Sequence, residues 1–128
     1  MRYLIISVIV AIVLEANYVK WVPTYDMAHE KALREKKSLF VLLVDNYDEV
    51  KKINYELFTN QEYVESINEN FVSVIINKDQ KESYPIELLY TLEYPSMFFL
   101  NSYELFSCEA IFGVPTPKQF QEHLKLCY

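Results

Sequence analysis

Apolar residues run unbroken, apart from Ser7, from Tyr3 to Leu14, with Arg2 before them and Glu15-Ala16 after. A short basic start, a hydrophobic stretch and a small residue at the cut point form the pattern of a secretory signal, so residues 1–16 are expected to be removed after Ala16, the alternative being an uncleaved anchor because Leu14 is large for the −3 position. As a helix, Tyr3 to Leu14 spans only about 18 Å against a hydrocarbon core of roughly 30 Å, so no stable membrane span is expected after cleavage. Beyond that point the apolar spacing alternates between strand-like blocks and helical stripes. Asn17 to Val22 reads as an edge strand ending at Pro23. Thr24 is placed to cap a helix from Tyr25 to Lys37, with Met27, Ala28, Ala32 and Leu33 on its apolar stripe. Ser38 to Val44 is a continuous apolar run of the kind found in a central strand covered on both faces.

After Asp45-Asn46-Tyr47 the period becomes helical, with Val50, Ile53, Leu57 and Phe58 on one stripe and Asp48 and Glu49 at the positive end of the dipole. Thr59-Asn60-Gln61-Glu62 reads as a capping box opening a second helix that buries Tyr63, Val64 and Ile67. Phe71 to Ile76 is a second apolar strand, Asn77 to Glu82 a solvated loop, and Ser83-Tyr84-Pro85 opens a helix carrying Ile86, Leu88, Leu89 and Leu92. Pro95–Leu100 and Leu105–Phe112, around Asn101 to Glu104, predict a β-hairpin closed by Gly113. Thr116-Pro117-Lys118-Gln119 then starts a last helix with Phe120, Leu124 and Cys127 in line. The order β-α-β-α-α-β-α-β-β-α predicts an α/β fold, a three-layer α/β/α sandwich around a mixed central sheet, for residues 17–128.

Composition narrows the function. The 128 residues carry a net charge of −6, and loss of residues 1–16 removes one charge of each sign, so the exported chain stays acidic and nucleic acid is an improbable partner. The single glycine excludes a glycine-rich phosphate loop. His29, His123, Cys108 and Cys127 match no usual zinc spacing, so neither a metal nor a cofactor is expected. Asp45, Asp48 and Glu49 read as a solvated turn and helix start in preference to a cation site, which wants more oxygen ligands.

Several strings, taken in order, resemble the thioredoxin-like superfamily, and more closely its exported branch. They are Lys51-Lys52-Ile53, Glu56-Leu57-Phe58, Asn60-Gln61-Glu62-Tyr63-Val64 and Ile67-Asn68-Glu69-Asn70-Phe71-Val72, with Tyr94-Pro95-Ser96 similar to the family's cis-proline signature. The resemblance implies a thioredoxin-like fold over nearly all of residues 17–128, a cis bond before Pro95, and a Cys-x-x-Cys just ahead of Lys51. Those four positions are Tyr47, Asp48, Glu49 and Val50, with no sulfur among them. Dithiol chemistry at a helix start, where the dipole stabilises a thiolate, is therefore not expected.

Cys108 is expected to alternate with Phe106, Ala110 and Phe112 on one strand face, and Cys127 to lie on the buried stripe of the last helix. A disulfide, two buried free thiols and an intermolecular bond through Cys127 all fit this placement; a helix lying on a sheet tends to hold backbones farther apart than a disulfide tolerates. Phe40, Phe98, Phe99 and Phe106 read as core. Tyr47, Asp48, Tyr94 and Pro95 are the candidate peptide-binding residues, with Tyr47 and Tyr94 lining an aromatic groove in the thioredoxin-like overlay. The expectation is a periplasmic or secreted, redox-inactive binding or accessory module for a protein or peptide. The alternative is a thiol-disulfide oxidoreductase using Cys108 and Cys127.

Overall fold

The computed structural model describes residues 18–79, 85, 89, 91 and 93–128. The signal segment 1–16, and all of the helix expected from Ser83 to Leu92 except Pro85, Leu89 and Thr91, lie outside the described residues.

Five strands, β1 Trp21–Val22, β2 Ser38–Val44, β3 Phe71–Asn77, β4 Ser96–Leu100 and β5 Ile111–Phe112, form one mixed sheet in the order β1-β3-β2-β4-β5. The described helices are α1 Tyr25–Glu35, α2 Tyr47–Glu56, α3 Gln61–Asn70 and α4 Pro117–Leu124. The uninterrupted apolar run of β2 has the cause inferred for it. The strand is central, parallel to β3 from Ser38↔Phe71 to Val44↔Asn77 and antiparallel to β4 from Leu39↔Leu100 to Leu43↔Ser96.

Side chains alternate across the sheet, so the even and odd residues of β2 belong to different layers. Phe40, Leu42 and Val44 enter one core with Ile53, Leu57 and Phe58, Tyr63, Val64 and Ile67 of α3, and Phe120 and Leu124 of α4. Leu39, Val41 and Leu43 enter the other with Tyr25, Ala28 and Ala32 of α1. Phe40 and Phe99, directly opposite in register, stack with centroids 5.2 Å apart, and Trp21, Phe58 and Phe71 close around Phe40 at 5.9 to 6.3 Å.

Local chemistry sets the boundaries and corrects several expectations. Thr24 caps α1 by accepting from the Met27 amide at 3.2 Å, and Lys36, at φ 56°, makes the left-handed turn that ends it two residues earlier than expected. The buried stripe of α1 is Tyr25, Ala28 and Ala32; Met27 and Leu33 are exposed, because at 100° per residue both lie more than a quarter turn from the middle of the face those three share. Asn60, not Thr59, caps α3 by accepting from the Glu62 amide, while the Thr59 hydroxyl donates back to the Tyr55 carbonyl.

The hairpin is interrupted. Leu100 bridges Phe106, and Met97 pairs with Ile111, so Ser107–Ala110 holds two residues more than β4 opposite it. That bulge breaks the alternation expected for Leu105–Phe112. Phe106 and Phe112 meet Phe98 on the α1 side and are half-exposed, contrary to the core role expected for Phe106, while Cys108 swings through to pack on the opposite core.

The turn ahead of the bulge is clasped to α1. The buried Tyr25 hydroxyl donates to Glu104 at 2.6 Å, and His29 Nε2 meets the Ser102 carbonyl at 3.0 Å. Burial, then the bond to Glu104 and its charge, push the Tyr25 phenol above the ordinary tyrosine range. A group raised in the folded state contributes fully below its unfolded pKa of about 10 and loses that contribution as pH climbs toward its folded pKa. Stability is therefore expected to fall above about pH 10, and Tyr25→Phe to flatten that alkaline limb in denaturant titrations run at stepped pH.

Two substitutions test the core. Phe99→Ala is expected to lower unfolding free energy by about 3–5 kcal/mol. Ser73, buried on β3, has a hydroxyl with no hydrogen-bond partner among the described residues, so Ser73→Ala is expected to raise stability by about 1 kcal/mol in the same urea titration.

Candidate functional site

The ladders end together at one edge of the sheet. Val44↔Asn77 is the last pair of β2 and β3, and Ser96 of β4 stands opposite Leu43, so Asp45, Lys78 and Pro95 emerge side by side. Lys78 donates to the Asp45 carboxylate at 2.7 Å and holds its ammonium 5.6 Å over the Tyr94 ring. The bond and charge of Asp45 keep the Lys78 pKa above its ordinary value. The Tyr94–Pro95 bond is cis, as the resemblance implied, and the Pro95 carbonyl accepts from the Gly113 amide at 2.7 Å. Gly113 has φ 81°, the region a side chain rarely tolerates. Ser96 Oγ donates to the Glu93 carbonyl at 2.6 Å, fixing the approach to Pro95.

The start of α2 lies at this edge, and the amides of Asn46, Asp48 and Glu49 there are already engaged. Asn46 accepts from the Asp48 amide at 3.0 Å, and Glu49 reaches back to accept from the amides of Asp45 and Asn46. A thiolate or bound anion at a helix start draws on those amides. Here a capping box has taken them. Each acid of the Asp45, Asp48 and Glu49 cluster has its own partner, since Asp48 pairs loosely with Lys51 at 3.9 Å, which suits the solvated turn. Tyr47 projects into solvent, and Tyr94 is half-buried against the α1-side core.

A second constellation lies beneath the sheet. Cys108 and Cys127 form a disulfide, with Cα atoms 5.1 Å apart. The separation feared for a helix lying on a sheet does not arise, because neither cysteine sits in a regular element. Cys108 is on the bulge, and Cys127 lies in the turn beyond α4, where Leu126 and Cys127 donate to the carbonyls of His123 and Leu124. Both amides reach back three residues, so the chain tightens toward the sheet as it leaves the helix. Cys127 is fully buried and Cys108 partly so.

His123 joins them. Its ring lies 5.6 Å from that of Phe99, its Nε2 contacts the Glu109 carbonyl at 2.5 Å, and one of its nitrogens lies within 4.8 Å of both sulfurs. Sequence spacing gave no sign of this, since only His123 and Cys127 are near neighbours along the chain. Cys108 also lines a mostly apolar groove of about 630 Å³ with Phe98, Phe106, Ala110 and Phe112.

Neither a protein-family model nor a curated protein matches the chain in sequence. Solved structures do match in shape. A chain described as DsbH oxidoreductase superposes with a TM-score of 0.65 at 14% identity, covering 86% of this chain and 84% of its own. A thioredoxin from Thermus thermophilus gives a TM-score of 0.67 at 15% identity, over 84% of this chain and 85% of its own.

The disulfide closes a ring across 19 positions of sequence that contains β5 and α4. Replacing both cysteines by alanine is expected to lower unfolding free energy by about 3 kcal/mol, and a phosphine reductant to lower the wild type by a similar amount while leaving the double variant unchanged.

Proposed function

We propose that this thioredoxin-fold chain is an exported, redox-inactive binding or accessory module that takes a protein or peptide at the Tyr47–Tyr94 edge of its sheet. The observation that carries this reading is the capped start of α2. Tyr47-Asp48-Glu49-Val50 stands where the family keeps its two sulfurs, and Asn46 and Glu49 occupy the amides that would otherwise stabilise an anion there. The edge is left with aromatic and backbone chemistry. Tyr47 offers an exposed ring, and the cation held over Tyr94 turns that ring's orientation into a fixed feature of the surface. An extended peptide laid along this edge would meet the exposed Tyr47 ring, the uncovered part of Tyr94 and exposed Asp48 at the helix start. Export rests on the pattern of residues 1–16, and an intramolecular disulfide suits an oxidising compartment.

One observation favours a second reading, thiol-disulfide exchange at Cys108 and Cys127. Cys108 is partly exposed where Cys127 is fully buried, and His123 stands beside both. An incoming thiolate attacking Cys108 would form a mixed disulfide and release Cys127 as the leaving thiolate. Insulin reduction by a dithiol, catalysed by the wild type and abolished by Cys108→Ser, would establish this reading over the first.

For the binding reading, the test is crosslinking of the purified chain to exported proteins. Tyr47→Ala combined with Tyr94→Ala is expected to weaken capture of specific partners at least about tenfold, the equivalent of 1.4 kcal/mol, with circular dichroism unchanged. An unaltered partner set from the double variant would overturn it.

A further inference from the structure

We propose that Cys108, His123 and Cys127 bind zinc when the disulfide is reduced, so that the covalent bond and the metal are alternative states of one centre. This inference does not depend on the peptide-binding reading.

Geometry comes first. One ligand atom from each residue lies within 4.8 Å of the other two. Tetrahedral zinc, with bonds of about 2.3 Å to sulfur and 2.0–2.1 Å to nitrogen, needs its ligands roughly 3.5–3.8 Å apart. Opening the disulfide lets the sulfurs separate to that distance, and the imidazole closes in by about an ångström. The backbone is suited to the adjustment, because Cys108 lies on the bulge and Cys127 in the turn after α4, outside regular hydrogen-bonded structure. His123 and Cys127, four residues apart, already present the same side of that segment.

The imidazole is also dressed for metal. Its Nε2 faces the Glu109 carbonyl, which can only accept, so the neutral ring that a metal requires carries its proton on Nε2 and offers the Nδ1 lone pair. A ligating histidine ordinarily donates its other nitrogen in this way, which fixes tautomer and ring orientation. The Phe99 ring packs against the remaining side.

Charge selects the ion. Two thiolates and a neutral imidazole around a divalent ion carry no net charge, whereas two bare thiolates against the core formed by Phe99, Phe120 and Leu124 would be costly. Thiolate and imidazole donors favour zinc over the hard cations. Cys108 is partly exposed, so water or a partner's side chain completes the tetrahedron at the fourth position.

The reaction balances in two steps. A dithiol reductant gives two electrons and two protons to the disulfide and leaves as its own cyclic disulfide. Zinc then displaces the two thiol protons, which pass to solvent, and takes both sulfurs as thiolates.

The full chain, reduced with a phosphine and freed of metal, is titrated with zinc against a chromogenic chelator and with cobalt as a spectroscopic probe. The expected result is one zinc retained per reduced chain and none per oxidised chain. Cobalt is expected to show thiolate charge-transfer absorption and the intense visible bands of a tetrahedral ion. His123→Gln is expected to weaken zinc by at least about a hundredfold, at or above the upper range for losing only an outer hydrogen-bond partner. Zinc is further expected to protect both thiols from alkylation and, if the reduced chain has lost structure, to restore its circular dichroism. Failure of the reduced chain to retain zinc in either form, or unchanged affinity and cobalt spectrum in His123→Gln, would overturn the proposal.

Discussion

The stack of Phe40 on Phe99 couples more of this molecule than any other contact. The two residues face each other across β2 and β4, so the stack fixes the register in which parallel and antiparallel halves of the sheet meet. Phe71 at the start of β3, Phe58 after α2 and Trp21 on β1 close on the same pair, which gives four of the five strands one shared apolar centre. Aromatic pairs add about 0.5–1.5 kcal/mol each beyond the area they bury, so the cluster holds layers together that short edge strands could not. Its far side reaches the sulfur centre, because Phe99 is also the floor on which His123 rests.

The Tyr94–Pro95 edge and the sulfur centre are joined through β5. Gly113, directly after the strand, donates to the Pro95 carbonyl, while the bulge directly before it carries Cys108. Four residues, the last two of them β5, therefore lie between Cys108, the covalent anchor to the last segment, and Gly113, which holds the loop that presents Tyr94. The capping box at α2 and the distant disulfide divide the chemistry. The capped start of α2 lies at one end of the sheet, and the sulfur sits on the opposite side of the fold from α1.

Much of this was legible in the residues. The seven-residue apolar run of β2 required a strand covered twice, the Thr116–Gln119 box placed the last helix, and Tyr63, Val64 and Ile67 marked the buried face of α3 as observed. What escaped was governed by tertiary context. Thr59 lost its capping role because its hydroxyl found the Tyr55 carbonyl one turn back, and Met27 and Leu33 lie off the face that Tyr25, Ala28 and Ala32 turn to the sheet. At the site, the cis bond before Pro95 followed from family resemblance and the lack of sulfur at α2 from plain reading. The union of Cys108, His123 and Cys127 did not, since strict strand alternation places Cys108 with Phe106. Only a two-residue excess, invisible to period-two patterning, turns it to the other side.

That excess also sets how the chain bears load. Tension applied at Tyr128 enters at Cys127 and crosses to Cys108, so the eight residues of α4 lie in a slack loop that carries none of it. The pull then passes along the bulge to the β4 partner of Phe106. A chain whose last helix would otherwise peel first is thereby made to resist from the interior of its sheet, and reduction moves the point of yielding back to its end.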